Sequence, residues 1–382
     1  MALGSLEGYV VAVTADRRAG EQAELLRRRG AKVLHAPTIA TGYLTADDAV
    51  QRATRAAIES EPDFLVLVTS IGWRAWLEAA QAWGLDADLL RIARRARVLA
   101  RGPKATAAAH AAGVDVWRSA VSEELSEVID ILRDVTRAGA RVVVQCHGED
   151  DPRLRHALVP LGVEVIEVPV YRWRQPRDRR PARELIRVIT EQQVDAVTFT
   201  AAPALRNLLR IADEQGLRDR VVEGFNGGVL AACVGPVCEA AAREAGIEAP
   251  VAPEVGRLGL LVRVVAEHLG RRAWSFRVGE VEVRLQGRAL EVDGSSITLG
   301  HRERVILTAL LERSGAVVPP RALPGPGGGG HARSVELAVA RLRRKLGPAA
   351  VALETVRRRG YRLVVTDQSQ GSGSETSTAA HL

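Results

Sequence analysis

The sequence predicts an α/β protein: a body of two similar lobes with parallel sheets, then a small C-terminal α+β module. Three observations predict it. Short apolar runs alternate with helical segments that stop at glycine, the pattern of buried parallel strands covered by helices. The same series of events occurs twice at a nearly fixed offset. The basic excess is gathered at the far end of the chain, on one amphipathic helix and the turn that follows it.

In chain order, residues 9–14 (YVVAVT) form a buried strand, 21–29 a helix stopped by Gly30, and 32–34 a short strand before Pro37. Residues 64–69 (FLVLVT) form the next strand, 72–83 a helix ended by Gly84, and 98–100 another strand. A turn at Gly102-Pro103 leads into a helix over 104–112, closed by Gly113. Residues 141–144 with the helix that follows then answer the opening group, and 195–200 answers 63–69. The offset is 132 for Gly30/Gly162, Pro37/Pro169, Asp63/Asp195 and Gly84/Gly216, and 133 for Gly102/Gly235 and Gly113/Gly246. One unit has been written twice. Segments 126–137 and 256–269 read as amphipathic core helices.

Two such lobes facing one another enclose a cleft, and ligands of parallel sheets sit beyond the strand C-termini. The candidate ligand-binding residues there are Thr14, Arg17, Thr69, Ser70, Arg101, Gly102, Lys104, His147, Gly148, Thr200 and Gly235, with 145–150 as one cleft segment. Backbone N–H groups at the helix starts suit carboxylates or phosphates. The hydroxyls of Ser70 and Thr200 serve equally as helix caps.

The order of elements, with Val13-Thr14…Arg17, FLVLVTS ending at Ser70, Arg101-Gly102-Pro103-Lys104…Thr106, Val168-Pro169-Val170-Tyr171-Arg172 and Phe199-Thr200…Pro203-Ala204, resembles uroporphyrinogen-III synthase over residues 8–268. The resemblance implies two flavodoxin-like lobes joined by a two-stranded linker: residues 1–36 and 173–268 in one, 37–172 in the other. It also implies a reaction without metal or cofactor. A linear tetrapyrrole with eight carboxylates loses its terminal hydroxyl and closes with inversion of the last ring, and Tyr171 stands where the family's proton donor stands. Two departures remove hydroxyls: Thr200-Ala201 stands where the first lobe has Thr69-Ser70, and Val237-Cys238 where a threonine follows the glycine-proline pair.

In the C-terminal module Val335, Val339, Leu342 and Leu346 fall on one face of a helix ended by Gly347-Pro348. Its other faces carry Arg333, Arg341, Arg343, Arg344 and Lys345, guanidinium forks suited to phosphates and guanine edges. Residues 353–356 and 361–365 read as two strands joined by Arg357-Arg358-Arg359-Gly360, a basic wing. RLRRKLG (341–347) and TVRRRGYR (355–362) resemble the winged helix-turn-helix of OmpR-like response regulators, with 299–311 as its first helix and strand-like runs at 273–285 and 289–292. The resemblance implies a DNA-binding domain over 271–365, contacting duplex DNA through Arg333, Arg341, Arg343, Arg344, Lys345, Arg357, Arg358, Arg359 and Tyr361. By analogy two copies are expected on paired half-sites. The prolines and glycines of 319–330 leave at most one turn where that family has its second helix.

Charge agrees with this division. Residues 271–365 carry 18 Lys and Arg against 8 Asp and Glu, while 1–270 carry 35 against 36. All of the basic excess lies in the terminal module, the footprint of a phosphate-binding domain on a neutral body. No amphipathic helix with exposed large apolar residues is expected beside the charge, so a membrane surface is not the expected partner. Cys146, Cys233 and Cys238 form neither a metal-ligand spacing nor an even disulfide set, which fits a reducing cytoplasm. The ligands of Cys146, His147, Glu149, Asp150 and Asp151 are too close in sequence to converge on a metal. The arginine run 172–183 is read three ways: ligand carboxylates, DNA, or a solvated face. Residues 366–382 read as a disordered tail.

The whole resembles actinobacterial-type fusions of the synthase with a response-regulator DNA-binding domain. The expected function is a cytoplasmic DNA-binding transcription regulator whose synthase-like domain senses a small, tetrapyrrole-like or anionic ligand. The alternative is a working synthase carrying a DNA-binding appendage, and a third reading is a DNA-tethered scaffold.

Overall fold

The computed structural model describes residues 4–44, 47–146, 152–323 and 331–371. The chain forms two compact units, Ala40–Arg174 and an outer unit made of Met1–Ile39 with Gln175–Leu382.

The middle unit holds a five-stranded parallel sheet in the order Arg118–Ser119, Arg97–Ala100, Phe64–Leu67, Arg141–Gln145, Glu164–Val168. The strand Phe64–Leu67 is buried at every residue, because successive side chains enter opposite layers. Leu65 and Leu67 join Trp73, Trp76, Leu89 and Ile92 on one face, while Phe64 and Val66 join Val128, Leu132 and Leu158 on the other. This unit also holds an antiparallel ladder, Ala40–Tyr43 against Tyr171–Arg174, which pairs Thr41 with Trp173.

The body portion of the outer unit repeats the sheet. Its order is Leu230–Cys233, Ala196–Phe199, Val10–Val13, Lys32–His35, all parallel, with a bridge from Ala232 to Val251 beside Leu230–Cys233. Shifting residues 64–67 by 132 gives Ala196–Phe199, and shifting 97–100 by 133 gives Leu230–Cys233. The two sheets therefore share one spatial order, and the duplication read from glycine and proline landmarks is a duplication of topology. Asp63 and Asp195 also keep one role: each accepts the backbone N–H that opens the neighbouring strand, Arg141 at 2.9 Å and Val10 at 2.7 Å.

Helix Leu258–Gly270 buries Leu261, Val262, Val265 and Leu269 against Val11, Val13 and Leu26, and runs through Arg271–Ala273 into the terminal module. There an antiparallel sheet is ordered Ser295–Thr298, Ala289–Val292, Val281–Gln286, Trp274–Val278, Thr366–Gln370. Helices His301–Leu311 and His331–Leu346 and the hairpin Leu353–Val356/Gly360–Leu363 complete it. Val335, Val339, Leu342 and Leu346 are fully buried among Ile306, Leu307 and Leu310, as their spacing requires. Among the described residues of 319–330 there is one 3₁₀ turn, Pro320–Ala322, and 324–330 lie outside the described residues.

Three readings are corrected here. The run 273–285 is two strands folded at Val278–Val281, and Ser295–Thr298 is a strand of the same sheet. Residues 366–370 are not part of a disordered tail: they pair with Trp274–Val278. Such pairing is made by backbone groups along a sheet edge and does not need apolar side chains, so composition alone conceals it. Residues 372–382 lie outside the described residues.

The terminal module is joined to the outer lobe by more than the covalent link. Gln286 Nε2 donates to the carbonyls of Gly4 and Glu7, at 2.7 and 3.1 Å, and Arg288 N–H donates to Gly8 O at 2.8 Å. Gly8 and Gly287 both have positive φ, and a Cβ on either would lie under 3 Å from backbone of the other segment. Two main chains pass in direct contact, which only glycine allows there.

Candidate functional sites

In the middle unit the C-terminal ends of the strands gather Thr69, Ser70, Arg101, Gly102 and Gln145, with Tyr171 arriving from the ladder. Thr69 accepts from Gly72 N–H at 3.1 Å, capping helix Ser70–Ala82. Its own N–H donates to Gln145 Oε1 at 3.1 Å, and its hydroxyl lies 3.2 Å from the Tyr171 hydroxyl. The buried Tyr171 ring stands edge-on to Trp173 with centroids 5.5 Å apart. Burial pulls the Arg101 guanidinium below its usual range, and the nearby Tyr171 and Glu123 oppose that shift. A cation, a phenol and a capped helix start thus converge on one strand edge, an arrangement able to hold a carboxylate and deliver a proton.

Gln145 was legible only as part of the segment 145–150, yet it organises this edge. Its amide also donates to Cys146 O, and Gly72 gives it space: a Cβ there would overlap the Gln145 side-chain amide. Lys104 is exposed, and Gly102 opens helix Pro103–Ala111. His147 and Gly148, with Glu149, Asp150 and Asp151, lie outside the described residues.

In the outer lobe Thr14 is fully buried, and its hydroxyl donates to Thr198 O at 2.7 Å. It ties two strands together and offers no hydroxyl to a ligand. Arg17 is exposed, Thr200 is half-buried, and Gly235 precedes helix Pro236–Glu244.

The second candidate site is the basic face of the terminal module. Arg333, Arg341 and Arg344 on helix His331–Leu346 are exposed and hold no ion pair among the described residues, as are Arg357, Arg358 and Arg359 at the hairpin turn. Arg358 has φ of 58°, so the turn itself presents the arginines. Three other named residues serve the fold. Arg343 donates to Leu353 O at 2.7 and 3.0 Å and to Thr355 Oγ1 at 2.8 Å, fastening the helix to the hairpin. Lys345 Nζ binds Thr298 O at 2.8 Å and Glu303 Oε2 at 2.6 Å. Tyr361 packs into the core with 7% exposure. Side-chain type could not separate these from their neighbours; only the position of the next element does.

The folds define the class: a duplicated α/β body followed by a winged helix-turn-helix. The comparisons agree. Residues 20–262 match the family described as "Uroporphyrinogen-III synthase HemD", and residues 294–363 match "Transcriptional regulatory protein, C terminal". The chain belongs to the uroporphyrinogen-III synthase HemD family and carries at its C-terminus a transcriptional-regulator winged helix of OmpR type. It is 30% identical over 263 residues to the uncharacterized protein YjjA of Bacillus subtilis, covering 69% of this chain and 97% of that one. It is 26% identical over 255 residues to a putative uroporphyrinogen-III synthase of Methanothermobacter thermautotrophicus, covering 66% and 95%. The crystal structure of a methionine-substituted uroporphyrinogen III synthase from Thermus thermophilus aligns with a TM-score of 0.57 at 26% identity, over 68% of this chain and 98% of that one. Among the described residues no helix is long and apolar enough to cross a membrane.

Proposed function

We propose that this chain is a cytoplasmic transcription regulator that binds duplex DNA through its winged helix and senses a small anionic ligand, of tetrapyrrole type, through its synthase-like body. The observation that carries the DNA reading is a set of six exposed arginines, without an ion pair among the described residues, on one helix and one wing of a transcriptional-regulator domain. Guanidinium groups held this way neutralise phosphates and read guanine edges. The helix would enter the major groove, with Arg333, Arg341 and Arg344 toward bases or flanking phosphates, and the wing would meet the adjacent minor groove. Two copies on paired half-sites follow by analogy with other helix-turn-helix regulators. The sensing reading is supported by Arg101, Thr69 and Tyr171 at one strand edge. The test is fluorescence anisotropy of the full chain with duplex DNA over a series of salt concentrations, with and without a linear tetrapyrrole. A steep inverse salt dependence whose midpoint the tetrapyrrole moves supports both parts. No DNA binding in dilute buffer removes the regulator, and binding that the tetrapyrrole leaves unchanged removes tetrapyrrole sensing.

One observation favours a second reading, a working synthase: the Tyr171 hydroxyl beside Thr69, with Arg101 within electrostatic reach. Incubation of the purified chain with hydroxymethylbilane decides it. Ring-inverted product, lost in Tyr171→Phe, supports the enzyme.

A further inference from the structure

The repeated aspartate has two different fates. Asp63 makes its backbone hydrogen bond at the surface, with its side chain 49% exposed. Asp195 makes the equivalent bond at 5% exposure, because the terminal module covers it. The module brings Arg304 from helix His301–Leu311 onto Asp195 Oδ1. It brings Arg288 from the turn after Val281–Gln286, with one guanidinium nitrogen donating to Gln193 O at 3.2 Å. Arg272, from the connector, donates to Gly228 O at 2.5 Å and is also within electrostatic reach of Asp195.

Arg304 pairs with Asp195, and Arg272 and Arg288 lie within electrostatic reach of the same carboxylate, with Tyr9 hydrogen-bonded to Leu269 O at 2.6 Å nearby. Carbonyl dipoles take some of their N–H donors but cancel none of the charge. Two buried polar atoms in this cluster have no hydrogen-bond partner among the described residues: Arg288 Nε and His301 Nδ1. Buried donors and acceptors of this kind are otherwise almost always satisfied. Burial, then Arg304 and Arg288, push the His301 imidazole down to about 4, with Asp195 opposing, so it is neutral near pH 7 and adds no charge of its own. Arg272 and Arg288 are likewise held below their usual range by burial, and Arg304 lowers both further. The cluster sets three positive charges against the single negative charge of Asp195, and part of Arg272 is open to solvent.

We propose that the junction between the outer lobe and the winged helix is a binding site for a phosphate-type dianion, held by Arg272, Arg288 and Arg304 with the unpartnered His301 Nδ1 as a further hydrogen-bonding group. A dianion matches an excess of two positive charges, and guanidinium forks match tetrahedral oxyanions. The site shares no residue with the strand-edge cluster of Tyr171 or with the exposed arginines of helix His331–Leu346. It does not depend on the regulator reading, because the test registers anion binding alone.

The test is calorimetric titration and thermal unfolding of the full chain with inorganic phosphate, against sodium chloride at matched ionic strength. Pyrophosphate and a nucleoside monophosphate are parallel arms that separate free phosphate from a phosphoryl group on a larger molecule. Saturable stabilisation by phosphate but not chloride is expected, weakened at least tenfold in Arg288→Gln and in His301→Leu and retained in Arg344→Gln. If chloride stabilises the wild-type chain as much as all three phosphates, the proposal is overturned. The same holds if the phosphate effect survives undiminished in a folded Arg288→Gln. Should Arg288→Gln fail to fold, His301→Leu decides: unchanged phosphate affinity there overturns the site.

Discussion

The Lys345 ammonium lies 2.6 Å from the Glu303 carboxylate, joining the last turn of helix His331–Leu346 to the first turn of helix His301–Leu311. The same carboxylate accepts Gly300 N–H at 2.7 Å, so one side chain caps one helix and anchors the other. Glu303 is 8% exposed. Removing its partner leaves a nearly buried charge, at a cost of about 1–3 kcal/mol. Lys345→Met should therefore lower the midpoint of urea unfolding without changing its slope, and a midpoint within error of wild type would show that the pair is idle.

The same group sets an acid limit. Burial alone would raise the Glu303 carboxyl, but the hydrogen bonds from Lys345 and Gly300 outweigh it and hold the folded value below the usual 4.5. A lowered folded pKa contributes stability that is full above the unfolded value and lost as pH falls through the folded one. Unfolding free energy measured from pH 6 down to pH 3 should decline below about 4.5 in the wild type, and less steeply in Glu303→Gln, which starts lower.

Arg343 and Arg344 are adjacent and chemically identical, yet they should fail differently. Arg344 is exposed, so Arg344→Ala should change stability by no more than about 0.5 kcal/mol while lowering the slope of log affinity against log salt by roughly 1. Arg343 holds Leu353 O and Thr355 Oγ1, and Arg343→Ala should cost about 1–3 kcal/mol by freeing a charge-assisted, partly buried pair. Alanine at Arg357, Arg358 and Arg359 together should flatten the salt dependence further at little cost in stability. Equal stability losses for Arg343→Ala and Arg344→Ala would contradict the division.

Gly72 marks a different kind of constraint. Its backbone has no unusual φ, so alanine would favour the helix by about 1 kcal/mol. The added Cβ, however, would overlap Nε2 and Cδ of Gln145, a side chain with no solvent exposure. Gln145 must move and release Thr69 N–H. We expect Gly72→Ala to lose about 1–3 kcal/mol, and Gly72→Ala/Gln145→Ala to recover part of it, a coupling readable in a double-mutant cycle of thermal unfolding.

These cases show where the sequence was legible. Strands such as Phe64–Leu67 and Ala196–Phe199 announce themselves because parallel strands buried on both faces are continuous apolar runs. The helix His331–Leu346 announces itself through Val335, Val339, Leu342 and Leu346. The roles of Arg343, Lys345 and Tyr361 were not legible, since an arginine or tyrosine near a phosphate-binding surface and one tying two elements together look alike in sequence. Nor was the meeting of Asp195 with Arg304, which are 109 residues apart and belong to separately recognisable domains. His147 and Gly148 fall outside the described residues.

The strand Thr366–Gln370 carries the last expectation. It covers the edge of Trp274–Val278, with Trp274 opposite Gln370, Ser275 opposite Ser369 and a register shift before Arg277 opposite Thr366. Gln368 Nε2 also donates to Leu311 O at 2.8 Å, satisfying a carbonyl at the end of helix His301–Leu311. Ending the chain after Val365 would leave the winged-helix motif intact but expose a row of backbone donors and acceptors beside Trp274. Uncovered strand edges invite pairing with other chains. A chain ending at 365 should therefore bind DNA in dilute solution with wild-type salt dependence but show concentration-dependent association by analytical ultracentrifugation. A chain ending at Gly371 should match the full-length protein in both measurements. If the 365 truncation sediments like the longer chains at every concentration, the final strand does not protect this edge.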